Sequence, residues 1–202
     1  AEGRLIPSQR LTTGELAFIT TDVPPFGAST FTFEEGAPYV VTEIPPGVDM
    51  LDEAKAERHE LSNRLLTLSL DPATGAIASL RLNQGGPEVA NPQSGMGLNE
   101  YFYVAGREPK EPQRAGTPTI RVKETGPLVA SLVVESDGPG CNKLTRELRL
   151  PAWPNRIDII DTLDKKNVYE QEAVHIAFPF NVPSGVMRIN VPWGVVRPEA
   201  DQ

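Results

Sequence analysis

Apolar and polar residues alternate along most of the chain. Leu66, Leu68 and Leu70 are separated by Thr67 and Ser69. Leu144, Leu148 and Leu150 share a parity with Arg146, while Thr145, Glu147 and Arg149 take the other. A period of two puts one set of side chains on each face of a strand. The same reading predicts strands at Tyr101–Val104, Thr119–Lys123, Leu128–Ser136, Lys143–Leu150, Arg156–Leu163, Ala173–Phe180 and Val186–Val191. Asp71-Pro72-Ala73-Thr74-Gly75 is a turn: proline fixes φ and glycine supplies a left-handed position, so Arg64–Leu82 is predicted to be a hairpin. Asn83–Gly97, rich in Gly, Pro, Asn and Gln, reads as a long loop.

The opening part is more broken. LAFITT, from Leu16, reads as a strand that Pro24-Pro25 terminates; STFTF, from Ser29, and YVVTE, from Tyr39, read as two more. Pro45-Pro46-Gly47 is the next break, and the acidic run Asp49–Glu60 is compatible with a linker or a short helix. The expected organisation is the end of a small β unit over 1–47, a linker or short helix over 48–60, and a β-sandwich over 61–202. Nothing repeats at a fixed period, which argues against a solenoid or propeller. Strands dominate without βαβ alternation, so the fold class is all-β, an antiparallel β-sandwich of two packed sheets.

Composition narrows the function. The 202 residues carry 20 Pro and 17 Gly, the punctuation of many short strands, and are 39% hydrophobic, enough for a core. A net charge of −8 disfavours nucleic acid or an anionic membrane as partner. No apolar run reaches the roughly 20 residues of a membrane span, and AEGRLIPSQR lacks the apolar stretch of a secretory signal, so an exported parent would carry its signal elsewhere. With Cys141 as the one cysteine no intrachain disulfide can form, and His59 and His175 lie far apart in sequence. No zinc-ligand spacing and no G-x-S-x-G elbow occurs, so no cofactor is expected within this chain.

Four residues stand out. Arg146 interrupts an apolar face and needs a partner or a route to solvent; Asp158 and Asp161 on the neighbouring predicted strand are candidate partners, and a substrate-facing role is the alternative. His175 sits on the face of its strand opposite Val174, Ile176, Phe178 and Phe180. It is either a surface or interdomain histidine or, as a resemblance to the aldose mutarotases would imply, the partner of Glu172 or Glu147 in an acid–base pair. Tyr101 and Tyr103 follow the glycine-rich loop, where aromatic faces could stack on a sugar; ordinary strand burial is the competing reading. Trp193 reads as core or interface packing.

The segments LSNRLLTLSLDPATGAIASL, NEYFYVAG, GPLVASLVVESDGPGCNKLTRELRL, NRIDIIDTLDKK and AFPFNVP…INVPWGVVRP, in that order, resemble the C-terminal β-sandwich region of family 38 glycoside hydrolases, the retaining α-mannosidases. The resemblance covers about Leu61–Pro198 and, more loosely, the opening LAFITTDVPPFGASTFTF. It implies a galactose-mutarotase-like supersandwich that scaffolds an N-terminal catalytic domain and helps wall a cleft for mannosides. It also implies that zinc, the nucleophile and the acid belong to that other domain, since no stretch here matches those motifs. The aromatic neighbourhood of Tyr101 and Tyr103 would then lie near the interdomain interface. A free-standing carbohydrate-binding module and a mutarotase-like epimerase are the alternative readings. A fragment cut from such a parent would expose strand edges and is expected to self-associate weakly, most simply as a two-fold dimer.

Overall fold

The computed structural model describes residues 5–20, 23–37, 53–107, 111–153, 156–198 and 200. Among the described residues fifteen strands run in chain order: β1 (Ser8–Arg10), β2 (Leu16–Phe18), β3 (Lys55–Glu57), β4 (Glu60–Ser62), β5 (Leu66–Leu70), β6 (Ile77–Leu82), β7 (Glu100–Ala105), β8 (Gln113–Arg114), β9 (Thr119–Thr125), β10 (Val129–Gly138), β11 (Cys141–Pro151), β12 (Asp158–Lys165), β13 (Glu172–Ala177), β14 (Ile189–Val191) and β15 (Gly194–Val196). The described residues contain no helix, and every strand pairing is antiparallel.

The central layer is the sheet β12-β11-β10-β9. Its inner face carries Leu144, Arg146, Leu148 and Leu150 from β11 and, in register, Ser136, Val134, Leu132 and Ala130 from β10. Two further sheets pack on that face. Leu61, Leu66, Leu68, Leu70 and Ile77 of β3-β4-β5-β6 join Leu132, Val134, Leu148 and Leu150 in one core. Tyr101 and Tyr103 of β13-β7-β8 join Leu144 and Cys141 in another, with Val174, Ile176 and Leu163 beside them. Isolated bridges tie the two covering sheets through the intervening loop: Arg81 faces Glu88, and Ala90 faces Phe180. Each buried leucine contributes about 1.5–3 kcal/mol of transfer free energy, so the alternating runs account for the sandwich.

The outer face of the central sheet is a lattice of charge. Glu147 Oε2 accepts from Lys123 Nζ at 2.8 Å and its Oε1 accepts from Arg149 Nε at 2.7 Å. Glu135 pairs with Lys143 at 2.5 Å. The N-terminal hairpin docks at one end. Gln9, buried, accepts from Leu128 N and Val129 N, both at 2.8 Å, and donates to Val129 O at 2.9 Å, while Thr12 donates through both N and Oγ1 to Glu124 Oε1.

Three expectations need correction. Residues 53–60 are not helical: β3 and β4 form a hairpin, with Arg58 at φ +46 in its turn, and Ala54 and Leu61 bury against the core. Side-chain burial overrides the local helix preference of the sequence here, and the sheet starts at Lys55 rather than after residue 60. Ser29–Phe33 forms no strand; Phe31 and Phe33 instead pack their rings against Phe18 at 5.7 and 5.9 Å. The strand predicted over Ala173–Phe180 is shorter: β13 stops at Ala177, the last residue of the β7 ladder. Tyr39–Glu43 and Asp49–Asp52 lie outside the described residues.

Candidate functional site

β7 sets the geometry of the candidate residues because it presents opposite faces to two environments. Tyr101 and Tyr103 point into the core, 1% and 8% exposed. Tyr101 Oη donates to Pro139 O at 2.6 Å and Tyr103 Oη donates to Glu172 Oε2 at 2.6 Å. Both rings lie over the β10–β11 turn; a Cβ added to Gly140, at φ +75, would sit 2.4 Å from Tyr103 Cε2. Neither tyrosine therefore offers a ring face to a sugar in this arrangement. Burial pushes the Tyr101 hydroxyl up, and the hydrogen bond to Glu172 does the same for Tyr103. Glu172 is held low by Lys165 and by the Tyr103 hydroxyl.

The other face of β7 holds Glu100 and Phe102. His175 of β13 is in register with Phe102, and Arg114 of β8 faces Phe102 from the other side. The Arg114 guanidinium lies 5.1 Å from the ring centroid, pairs with buried Glu100, and donates to Gly95 O at 2.9 Å. Glu100 also accepts from Gly97 N at 2.7 Å. His175 is exposed. Glu172 has the opposite parity on the same strand, and Glu147 lies on the outer face of the central sheet. Neither carboxylate proposed as the partner of His175 shares its face. Glu100, the acid that does, is already committed to Arg114 and the Gly97 amide.

Arg146 is fully buried, and its partners are carbonyls. Nη1 donates to Asn99 O at 3.0 Å and Nη2 to Thr74 O at 2.8 Å, whereas Nε has no partner. Asp161 stands opposite Arg146 in the β11–β12 register but accepts from Asn99 Nδ2 at 3.0 Å. Asp158 is opposite Arg149 and pairs with Arg156 at 3.0 Å. Burial pulls the guanidinium down from its ordinary value, against the pull of Asp161 and Glu100. This charge clamps the β5–β6 turn and Asn99, itself at φ +59, onto β11.

Tyr101, Tyr103, Arg146 and His175 thus do not converge. The first three are core residues with separate partners, and His175 stands alone on a surface. Sequence reasoning missed Asn99, Glu100 and Arg114, whose polar groups are organised around the start of β7. The dipeptide Asn99-Glu100 directly before an aromatic strand was the available signal.

An apolar recess with a volume of about 310 Å³, lined also by Arg156, opens beside β12. Leu66, Ile77 and Leu98 form its floor, Ile157 and Ile159 one wall, and Phe178 and Phe180 the other. Those two rings stack at 6.1 Å with 20° between their planes. Trp193 lies elsewhere, at the tip of the β14–β15 hairpin, and is wholly exposed. It is not packed in the core of this chain. Among the described residues no group of three or more His, Cys, Asp or Glu is arranged to hold a metal ion, and no helix is long and apolar enough to cross a membrane. A scan against models of known protein families matched none, and a search among curated proteins returned no match.

Proposed function

We propose that the chain is a non-catalytic β-sandwich module of a glycoside hydrolase resembling the retaining α-mannosidases, in which it scaffolds a catalytic domain and helps wall the carbohydrate cleft. The galactose-mutarotase-like topology, the mannoside substrates, the zinc of the catalytic domain and that domain as partner all belong to this proposal. The observation that carries it is the use made of the charged residues. Arg146, Glu100, Glu124, Glu147 and Glu172 each bind another part of the chain, holding strands or turns in place. Side chains committed in this way serve architecture. The ordered sequence segments that resemble the family fall on β4–β6, β7, β10–β11, β12 and β14–β15, which include most strands of the packed sheets.

The mutarotase-like alternative loses its acid–base pair, since Glu172 and Glu147 do not face His175. The test reads the reading frame on both sides of this sequence and assays the full polypeptide it encodes on an aryl α-mannoside. An upstream domain with a zinc-ligand cluster, and turnover that survives His175→Ala, is the expected outcome. A reading frame that encodes these residues alone, or turnover abolished by His175→Ala, would overturn the proposal. Titration of the chain with mannose and mannobiose separates the binding-module alternative, which requires saturable binding.

A further inference from the structure

The two edges of the central sheet are treated differently. At β9 the chain closes its own edge: Thr12 donates to Glu124, and β3 lies alongside. At β12, a strand of 8 residues, no strand is paired on the outer side among the described residues. Such an edge keeps alternate N–H and C=O groups free to pair with another strand. We propose that β12 pairs with β12 of a second copy of this chain. The two strands run antiparallel about a two-fold axis at Ile160, and the two central sheets join into one.

The side chains select the second copy as occupant and fix the register. Residues directly opposite in an antiparallel pair share a face, so the axis must set one residue of β12 against its own copy. Centred on Ile160, the pairing sets Arg156 against Asp164 of the second copy, once at each end. Ile157 then faces Leu163, and Ile160, exposed on the outer face, is covered by its own copy. Arg156 already holds Asp158 on its own strand at 3.0 Å, and a guanidinium fork can serve a second carboxylate. Centred on Asp161, the strands would set Asp161 on Asp161 and Asp158 on Asp164, like charges directly opposed. Centred on Thr162 they would set Ile160 against Asp164, and centred on Ile159 they would set it against Asp158. The Ile160 register thus pairs opposite charges and also gives Ile160 an apolar partner. A net charge of −8 opposes any approach of two copies, so this local complementarity decides whether the edge is used.

The experiment is sedimentation velocity of the full chain across a wide concentration range, beside Arg156→Glu and Asp164→Arg. Both substitutions lie at exposed side chains, and circular dichroism checks that each variant keeps its strand signal. The wild type is expected to pass from monomer to dimer. Each variant opposes like charges at both ends of the pairing and should raise the dimer dissociation constant about tenfold. An equimolar mixture restores both opposite-charge pairs in the mixed dimer and should associate more tightly than either variant alone. Cysteine substitution reads the register. Residue 160 meets its own copy, so Ile160→Cys should give a disulfide-linked dimer on mild oxidation. Asp158→Cys, opposite Thr162, should link far less. Cys141 is buried and present in both. A monomeric wild type, unchanged dimerisation in Arg156→Glu, growth beyond a dimer, no gain on mixing, or equal linking through residues 158 and 160 would each overturn the pairing.

Discussion

Arg146 and Thr74 are 72 residues apart, and the guanidinium Nη2 donates to the Thr74 carbonyl at 2.8 Å. The contact fixes the β5–β6 turn against the central sheet, and it leaves Gly75 no room for a side chain. A Cβ there would come within 2.4 Å of Val134 Cγ1 and 2.6 Å of Nη2, at φ +68. Gly75→Ala should therefore lose about 2–4 kcal/mol, from strain and displacement of the guanidinium together. Arg146→Ala should cost about 3–5 kcal/mol because it leaves the Asn99 and Thr74 carbonyls without their donor in the interior. Arg146→Lys should recover little of it, since one ammonium cannot reproduce the fork that reaches both carbonyls. Urea unfolding of the three variants measures these differences.

Gly140 and Tyr103 form a second interlock. Gly140→Ala places a methyl in the Tyr103 ring at a left-handed φ and should destabilise by about 2–3 kcal/mol. Tyr103→Phe keeps the ring and removes one hydrogen bond to Glu172, a loss of about 1 kcal/mol. If thermal unfolding ranks Tyr103→Phe as the more damaging change, the interlock does not rest on ring packing.

Gln9 satisfies two backbone donors and one acceptor at the start of β10. Gln9→Ala should cost about 1–3 kcal/mol by leaving buried backbone groups without partners. Amide exchange at Leu128 and Val129 should accelerate in that variant, and unchanged protection would show that the hairpin does not hold this edge.

Stability should fall at both ends of the pH range. Burial pushes the Glu147 carboxyl up, but Arg149 and Lys123 together hold it below its ordinary value. A lowered carboxylate contributes stability that is present above about pH 4.3 and is lost as pH falls through the folded value. Tyr101 and Tyr103 are raised, so their contribution is complete below about pH 10 and is lost as pH climbs through the folded values. Melting temperature against pH, for the wild type and Glu147→Gln, checks the acid limb, which the substitution should flatten.

The alternation of apolar and polar positions was enough to place β5, β6 and β9–β12, because a half-buried strand writes its period into the chain. The same parity showed that Arg146 enters an apolar face and that His175 leaves one. It could not show where Arg146 ends. Asp161 is opposite it, but the guanidinium passes to carbonyls that belong to a turn and a loop brought near only by sheet stacking. Parity likewise put Tyr101 and Tyr103 together without saying what lies over them; the turn at Gly140 comes from 37 or more residues further along. Lys55–Glu57 misled for the opposite reason. Ala, Lys and Glu favour a helix locally, and the sheet that captures them is assembled from distant strands.

The clasp of Gln9 on Val129 spans 120 residues. On the ribosome, at about 5–20 residues per second, the N-terminal hairpin would wait several seconds or more before its dock is even synthesised. Closing so long a loop is also entropically slow compared with zipping β5 to β6 or β10 to β11. The hairpin is thus a late arrival in folding, and a nascent chain spends that interval with one end of its central sheet unlatched.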